Sequence, residues 1–357
     1  MLIDHEDFRP VLKILTDYPR DDLAHDEVHQ SLVTACVKHR VNPANADVGA
    51  IPGMDTVVAG FKAAQLVFTS QMGYGHVFHV NCAPRKNIVS IKSSGEKVVL
   101  GITATGVTLL AVNAGYTLAS FYEAAKSGEM VFFQTSVRDA GSQFRSRDYF
   151  PDAMAELAAH LAAQLKKHGA ESIRKMLAAK EFNKILGGLS FLEAPLDMSS
   201  FPVLPQGSVY YVDNFGNIKL NYRHKDLLGL YPSGTVLAVM IGGIVCEAVV
   251  GSEGFSQGEG VIALTGGSSG GKNGAFTEIF LRGGRAVTHF GTFKPGDDVL
   301  AIARDDLSAV IAAMGGEGDS ARTIERLARS GLIKDSFDST ELKAVLGKGD
   351  LVKRLAA

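Results

Sequence analysis

Short apolar runs alternate with amphipathic stretches over the first half of the chain. Residues 11–15 form an apolar run, followed by a polar turn and a helix-like stretch over 27–39. Runs at 77–80, 88–91 and 98–102 read as strands. Over 152–168, Met154, Leu157, Ala158, Leu161 and Leu165 share one helical face, and Gly169 predicts a stop. Such alternation favours helices on the faces of a mostly parallel sheet. Three prolines, Pro195, Pro202 and Pro205, then mark a linker. Beyond it the runs shorten and glycine rises: 209–212, 218–221, 236–241, 245–250, 261–264 and 278–281. These predict a small β-barrel. After Pro295 the pattern turns helical, most clearly from the N-cap pair Asp319-Ser320. The predicted organisation is an α/β domain over 1–195, a β-barrel domain over 205–300 and a helical extension over 301–357, with no internal repeat.

Residues 98–122 carry no charge and are long enough to span a bilayer. Their apolar groups are short and interrupted by threonine, asparagine and glycine, so they read as two buried strands and the start of a helix. Composition narrows the function classes. The chain has 357 residues, 46 % hydrophobic and 21 % charged, with a net charge of −2. That balance predicts a globular protein without a nucleic-acid or membrane partner. Cys36, Cys82 and Cys246 are odd in number and widely spaced. They argue for a reducing, cytoplasmic setting and against a disulfide framework or a cysteine zinc site. Residues 1–10 are acidic and lack the apolar stretch of a signal peptide.

Several local patterns suggest chemistry and fail on inspection. Gly266-Gly267-Ser268-Ser269-Gly270-Gly271-Lys272 has P-loop spacing, but Asn273 follows the lysine and a strand-like run follows that. A magnesium-binding hydroxyl and a helix N-terminus are both missing, so a hairpin is the better reading. His25 and His29 are four apart on a predicted helix, with the glutamate displaced from the metalloprotease position. His76 and His79 are three apart on a predicted strand and point to opposite faces. No metal site is predicted.

Five dispersed segments carry more weight together than apart: Leu15-Thr16-Asp17-Tyr18 with Asp22; Ile51-Pro52 leading to Gly60 and Gln65; Phe144-Arg145-Ser146-Arg147-Asp148-Tyr149-Phe150; Asp213-Asn214-Phe215-Gly216-Asn217 with Asn221; and Gly267-Ser268-Ser269-Gly270 with Glu278-Ile279 and Gly283-Gly284. Their order and spacing over about residues 11–293 resemble the SAM hydroxide adenosyltransferase family, which also contains the SAM-dependent fluorinase and chlorinase. The resemblance implies an N-terminal α/β domain, a C-terminal barrel and a homotrimer, with S-adenosylmethionine (SAM) between one subunit's α/β domain and the next subunit's barrel. SAM is then substrate, and no cofactor is implied.

By family position, Asp17 holds the ribose, Asp213 holds the methionine ammonium and Asp22 lies near the methionine. Phe144, Phe215 and Phe255 pack at the ligand, while Asn217, Ser268 and Ser269 hydrogen-bond its adenine or amino-acid end. Asp17, Asp213 and Asn217 also suit strand ends and turns, and Phe215 also suits a barrel core.

The nucleophile end departs from the family. Ala83 stands where the hydrolases have an aspartate, Arg145 where they have a histidine, and Arg85 falls in a shortened loop as a candidate for their arginine. Arginine stays protonated and is no general base. Ser146 matches the halide-holding serine of the halogenases. Arg145, Ser146 and Arg85 are therefore the catalytic candidates, with water or a small anion attacking C5′. The alternatives are a non-catalytic SAM or adenosine binder, and an unrelated α/β protein whose glycine loop takes another nucleotide.

Overall fold

The computed structural model describes residues 10–69, 73–83, 97–136, 144–242, 244–271 and 274–303. The chain divides into two compact units, Met1–Val203 and Leu204–Ala357.

The first unit runs β1 (Leu12–Thr16), α1 (Leu23–Lys38), β2 (Ala46–Ala50), α2 (Thr56–Thr69), β3 (Val77–Asn81), β4 (Val98–Thr103), β5 (Thr108–Val112), α3 (Tyr122–Ser127), β6 (Met130–Thr135), α4 (Arg145–Asp148), α5 (Phe150–Ala178), α6 (Phe182–Leu186) and β7 (Leu192–Pro195). Its seven strands are ordered β2-β1-β3-β5-β4-β6-β7. β1 pairs in parallel with β2 and β3, and β3 with β5. β4 runs antiparallel to β5 and β6, and β7 antiparallel to β6. Five of the seven therefore share one direction, the mostly parallel sheet that the alternating pattern predicts. β3, β4 and β5 are buried throughout, because apolar layers cover both faces. Leu12, Ile14, Val28, Leu32, Met154 and Leu157 lie in one layer. Leu15, Ala59, Val80, Leu109 and Phe121 lie in the other.

The helices form for local reasons. Asp22 caps α1, accepting the Ala24 N–H at 2.7 Å, and Val28, Leu32, Ala35 and Cys36 make its buried stripe. α2 buries Val57, Val58, Ala59, Phe61, Ala63 and Val67. Helix α5 starts at Phe150 with Pro151 in its first turn. At Gly169 the backbone leaves the helix (φ 75°, ψ 157°), where the sequence predicts a stop. The chain then turns helical again, because Ile173 and Leu177 resume contact with the same apolar layer. The uncharged stretch over 98–122 supplies β4 and β5, as its interrupted pattern predicts. No helix among the described residues is long and apolar enough to cross a membrane.

The second unit contains β8 (Val209–Val212), β9 (Ile218–Arg223), α7 (His224–Leu230), β10 (Val236–Ile241), β11 (Ile244–Val250), β12 (Ile262–Gly266), β13 (Phe276–Leu281) and β14 (Leu300–Ala303). The sheet order is β14-β10-β11-β12-β13-β9-β8. Its two ends meet: Ser208 bridges to Asp298, the Val209 N–H donates to the Asp297 carbonyl at 2.8 Å, and the Gly296 N–H donates to the Val209 carbonyl at 2.7 Å. The sheet thus curls onto itself around Val209, Ile218, Leu220, Leu237, Val239 and Ile279. β12 and β13 form an antiparallel pair on either side of the glycine-rich stretch, so that stretch is a hairpin and not a P-loop. Residues 301–303 complete β14. The rest of the predicted helical extension, and the predicted strand over 88–91, lie outside the described residues.

Two outcomes test this packing. A Cβ on Gly60 would sit 2.5 Å from the Thr117 carbonyl oxygen. Alanine normally favours a helix over glycine by about 1 kcal/mol, but here overpacking reverses the sign. Gly60→Ala should lose roughly 1–3 kcal/mol in urea unfolding. His79, wholly buried, donates from Nδ1 to the Leu110 carbonyl at 3.1 Å and stacks 4.3 Å from the Phe150 ring centroid. Burial pushes its pKa down to about 4 from 6.5, against the Leu110 hydrogen bond, which raises it. The unfolded chain therefore takes up a proton here before the folded chain does. Stability from this group is full above about pH 6.5 and is lost as pH falls toward 4. His79→Asn should flatten the decline of the unfolding midpoint across that window.

Candidate functional site

The residues singled out in the sequence gather into two groups, one in each unit. In the first unit the chain passes from β1 to β2 on one side, then to β3 on the other. This is a topological switch point, where open α/β sheets leave a crevice at the carboxyl ends of the strands. Thr16 pairs with Asn81 at that end, and the Asp17 N–H donates to the Asn81 carbonyl at 3.3 Å. The Asn81 amide also donates to the Thr16 hydroxyl at 3.4 Å.

The turn after β2 leans toward the same place. The Ile51 N–H donates to the Thr16 carbonyl at 2.9 Å, and the Met54 N–H donates to Asp17 Oδ2 at 3.3 Å. Met54 adopts φ 59°, a left-handed conformation that non-glycine residues rarely take. Cys82 is buried next to Asn81, and its thiol is pushed up to about 12, first by burial and then by the negative charges of Asp17 and Asp55. It is therefore an inert thiol, and the smaller part of its shift reports the Asp17 and Asp55 carboxylates near the strand ends.

Phe144, Arg145 and Ser146 arrive at this end from far along the sequence. The Tyr18 and Ser146 hydroxyls lie 3.0 Å apart. Tyr18 and Phe144 meet edge to face at 5.5 Å, and the Arg147 guanidinium lies 5.0 Å from the Phe144 ring centroid. Arg147 is in turn held by Glu27 at 3.1 Å and Asp148 at 2.7 Å. Ser146 is buried, while Arg145 is half-buried and has no side-chain hydrogen bond among the described residues. Asp17 is half-buried at the end of β1. Asp22 is exposed and serves as the α1 cap. Ala83 packs against the apolar layer on the α5 side. Arg85 lies outside the described residues.

In the second unit, Asp213 organises the turn between β8 and β9. Its Oδ1 accepts the Phe215 N–H at 2.9 Å and the Asn217 N–H at 3.0 Å, and its Oδ2 accepts from Asn217 Nδ2 at 3.1 Å. Gly216 supplies the φ of 81° that the turn needs, and a Cβ there would strike the Arg285 side chain at 2.8 Å. Phe215 is 77 % exposed, so it belongs to the turn surface and not to the barrel core. Phe255 is 81 % exposed and touches Phe280 edge to face at 5.5 Å. The turn and the Gly267-Ser268-Ser269 stretch are joined by a pair that the sequence reading did not assign to the site. Lys219 and Glu278, direct cross-strand partners on β9 and β13, are both buried and hydrogen-bonded to each other. The Lys219 ammonium also lies 3.8 Å from Asp213 Oδ2. A Cβ on Gly267 would lie 2.5 Å from Glu278 Oε2, so the glycine lets this carboxylate reach under the loop.

Ser269 is buried, its carbonyl accepts the Phe276 N–H at 2.8 Å, and its hydroxyl has no partner among the described residues. Ser268 is exposed. Arg223 holds the loop's far side, donating to the Gly270 and Gly274 carbonyls at 3.1 and 2.7 Å, with its guanidinium 3.9 Å from the Phe276 ring centroid.

The structure thus brings Ser146 to Tyr18, the residue after Asp17, and Asp213 and Asn217 together with the Ser269 loop through Lys219 and Glu278. Tyr18, Asn81, Lys219 and Arg223 lacked a clear sequence signal. On β9 the alternation Ile218-Lys219-Leu220-Asn221-Tyr222 reads as an ordinary solvent face, until the neighbouring turn and loop bury it. The histidines have other work: His76 Nδ1 accepts the Val11 N–H at 3.0 Å, and His79 binds Leu110. No group of three or more metal-ligating side chains is assembled among the described residues.

Removing one partner of a buried ion pair strands the other charge, which costs roughly 3–5 kcal/mol. Lys219→Met should destabilise the second unit by that order in denaturant unfolding. The double variant Lys219→Met with Glu278→Leu should recover most of the loss, since the buried Glu278 charge is then gone and Asp213 keeps its three turn hydrogen bonds. A double variant no more stable than the single one would exclude the pair as the source.

The chain matches no known family model and no curated protein. It is similar to a solved structure of an uncharacterized conserved protein from Thermotoga maritima, with 19 % identity, 82 % of this chain and 100 % of that one covered, and a TM-score of 0.54. A conserved hypothetical protein from Thermus thermophilus shares 18 % identity, with 83 % of this chain and 100 % of that one covered, and a TM-score of 0.49. The Thermotoga likeness extends to the fold.

Proposed function

We propose that the chain binds SAM and catalyses nucleophilic substitution at its C5′ carbon, releasing methionine. One observation carries this reading: Asp17 and Ser146, assigned to the ribose and the nucleophile from segments 129 positions apart, converge on the carboxyl end of β1 through the Tyr18–Ser146 hydrogen bond. The chemistry asks little of acid–base groups. The sulfonium makes methionine a good leaving group, so the chain needs only to fix the ribose and align an attacker behind C5′. A lone pair on the attacker forms the new bond to C5′. The C5′–S pair leaves on sulfur, giving a neutral thioether. If water attacks, its proton passes to solvent; a small anion has none to lose and needs only desolvation and alignment.

Asp17 is assigned to the ribose hydroxyls, with Asp22 and Phe144 nearby, and Arg145 and Ser146 to the attacker. Asp213, Asn217, Ser268 and Ser269, with the exposed Phe215 and Phe255, are assigned to the adenine and amino-acid ends. Asp213 Oδ1 holds two turn N–H groups, so Oδ2, which accepts from Asn217 Nδ2 and lies 3.8 Å from the Lys219 ammonium, is the oxygen assigned to a ligand ammonium. A homotrimer in the cytoplasm belongs to the same proposal. Ala83 favours a second reading, a SAM or adenosine binder without turnover. It places an apolar methyl where the related hydrolases carry a water-orienting acid.

Incubation with SAM in chloride buffer, followed by chromatography, separates these readings. Equal release of methionine and of adenosine or 5′-chloroadenosine supports the enzyme. Saturable binding without products supports the binder, and no binding removes both. Asp17→Asn should weaken SAM binding by roughly 10–100-fold, the worth of charge-assisted hydrogen bonds. Arg145→Ala should abolish turnover with SAM affinity kept, and unchanged turnover would remove Arg145 from the mechanism.

A further inference from the structure

The geometry points to Tyr18 as a positioning residue for the nucleophile, acting through Ser146 to aim a hydroxyl proton at a small hydrogen-bond acceptor. This inference rests on the proposed substitution at C5′ and adds to it a residue of this chain that the family resemblance does not supply: the family's first motif has phenylalanine where Tyr18 stands.

Three observations carry it. First, the hydroxyls of Tyr18 and Ser146 lie 3.0 Å apart, and neither has another hydrogen-bond partner among the described residues. In such a pair only one O–H can point at the other oxygen. Whichever hydroxyl donates inward, the other keeps a proton directed elsewhere. Where Tyr18 donates inward, the remaining proton is on Ser146, only 6 % exposed, and leaving that donor unmet is costly, which suits a bound acceptor. Second, the pair is held rigidly. The Tyr18 ring meets Phe144 edge to face, both rings pack against the apolar layer on the α5 side, and Arg147 lies over Phe144. A hydroxyl on a ring fixed by packing is placed without the rotamer freedom that serine alone would have. Third, Tyr18 directly follows Asp17, at the switch-point strand end where open α/β sheets as a class bind ligands.

The consequence is chemical. Ala83 and Arg145 remove the acid and the imidazole by which the related hydrolases orient water. A paired hydroxyl replaces them with a donor that needs no change of protonation state. Hydrogen bonds in a chain strengthen one another, so the inward bond makes the outward proton a better donor. The acceptor is a small anion or a water lone pair. Tyr18 forms no bond to C5′ and holds no charge in the step.

Tyr18→Phe removes the hydroxyl and keeps the ring packing. The expected result is a kcat lowered by roughly tenfold, the worth of one net hydrogen bond, with SAM affinity unchanged. Ser146→Ala should lower kcat similarly, and the double variant should fall no further than either single one, because the two act as one unit. A merely structural tyrosine would instead alter stability or SAM affinity and leave kcat in place. Spectroscopy gives a reading independent of SAM. The chain has nine tyrosines and no tryptophan, so its near-ultraviolet spectrum reports tyrosine without indole overlap. Ser146→Ala should shift that spectrum in the wild-type background and leave it unshifted in Tyr18→Phe. Wild-type kcat in Tyr18→Phe, or the same spectral shift in both backgrounds, overturns the inference. If the unmodified chain neither binds nor converts SAM, the proposed function falls and the positioning role falls with it. The spectral comparison still decides whether the hydroxyl pair exists, so the two failures are told apart.

Discussion

Taking the Lys219 ammonium out of water costs several kcal/mol unless a carboxylate meets it at once. That constraint organises the polar face of the second unit. Glu278 meets the charge from the adjacent strand, and Asp213 adds a second carboxylate at 3.8 Å. Glu278 needs room, and Gly267 provides it by lacking a Cβ. Asp213 needs its other oxygen occupied, and the Phe215 and Asn217 N–H groups do so by closing the turn. One buried charge thereby fixes a turn and a loop that lie far apart in sequence. A buried pair of this kind is weak evidence for added stability, since apolar residues in its place would serve as well. What the pair does in this fold is join the Asp213 turn to the Gly267 loop.

The first unit reaches a similar end by a different route. Its strands are held by apolar layers on both faces, and polar side chains collect at their carboxyl ends. The change of direction between β2 and β3 splits the loops there, and Asp17, Asn81, Cys82 and the Met54 turn occupy the gap. The Cys82 thiol is raised first by its burial there and then by the nearby Asp17 and Asp55 carboxylates.

Much of this was legible in the sequence, because periodicity reports burial on two sides or one. The runs at 77–80 and 98–102 lack alternation and became β3 and β4, buried on both faces; the short runs after Pro205 became the curled sheet. The helix predicted over 152–168 spans Phe150–Ala178 in the fold, since the apolar stripe resumes beyond Gly169 and a single glycine bends such a stripe without ending it. Asp213 and Asn217 were legible as a pair because a tight turn demands those residue types at that spacing. Lys219 and Tyr18 were not. A lysine between isoleucine and leucine on a strand reads as the wet face, and only the fold shows that a loop covers it. A tyrosine after Asp17 reads as one more aromatic at a strand end, and only the fold brings Ser146 within 3.0 Å of it.

The two illegible residues share a physical cause: each takes its meaning from a partner distant in sequence, 59 positions away for Glu278 and 128 for Ser146. Local pattern reports which face a side chain occupies and says nothing of what lies opposite. Polar groups are the ones for which that matters most, since an apolar side chain is content with any apolar neighbour, whereas a hydroxyl or an ammonium needs a specific atom at a specific distance. It follows that departures from a family pattern are best judged in the folded chain. Read as a string, Ala83 and Arg145 look like the loss of a water-orienting site. In the fold, the same end of β1 carries a Tyr18–Ser146 hydroxyl pair that the string does not show.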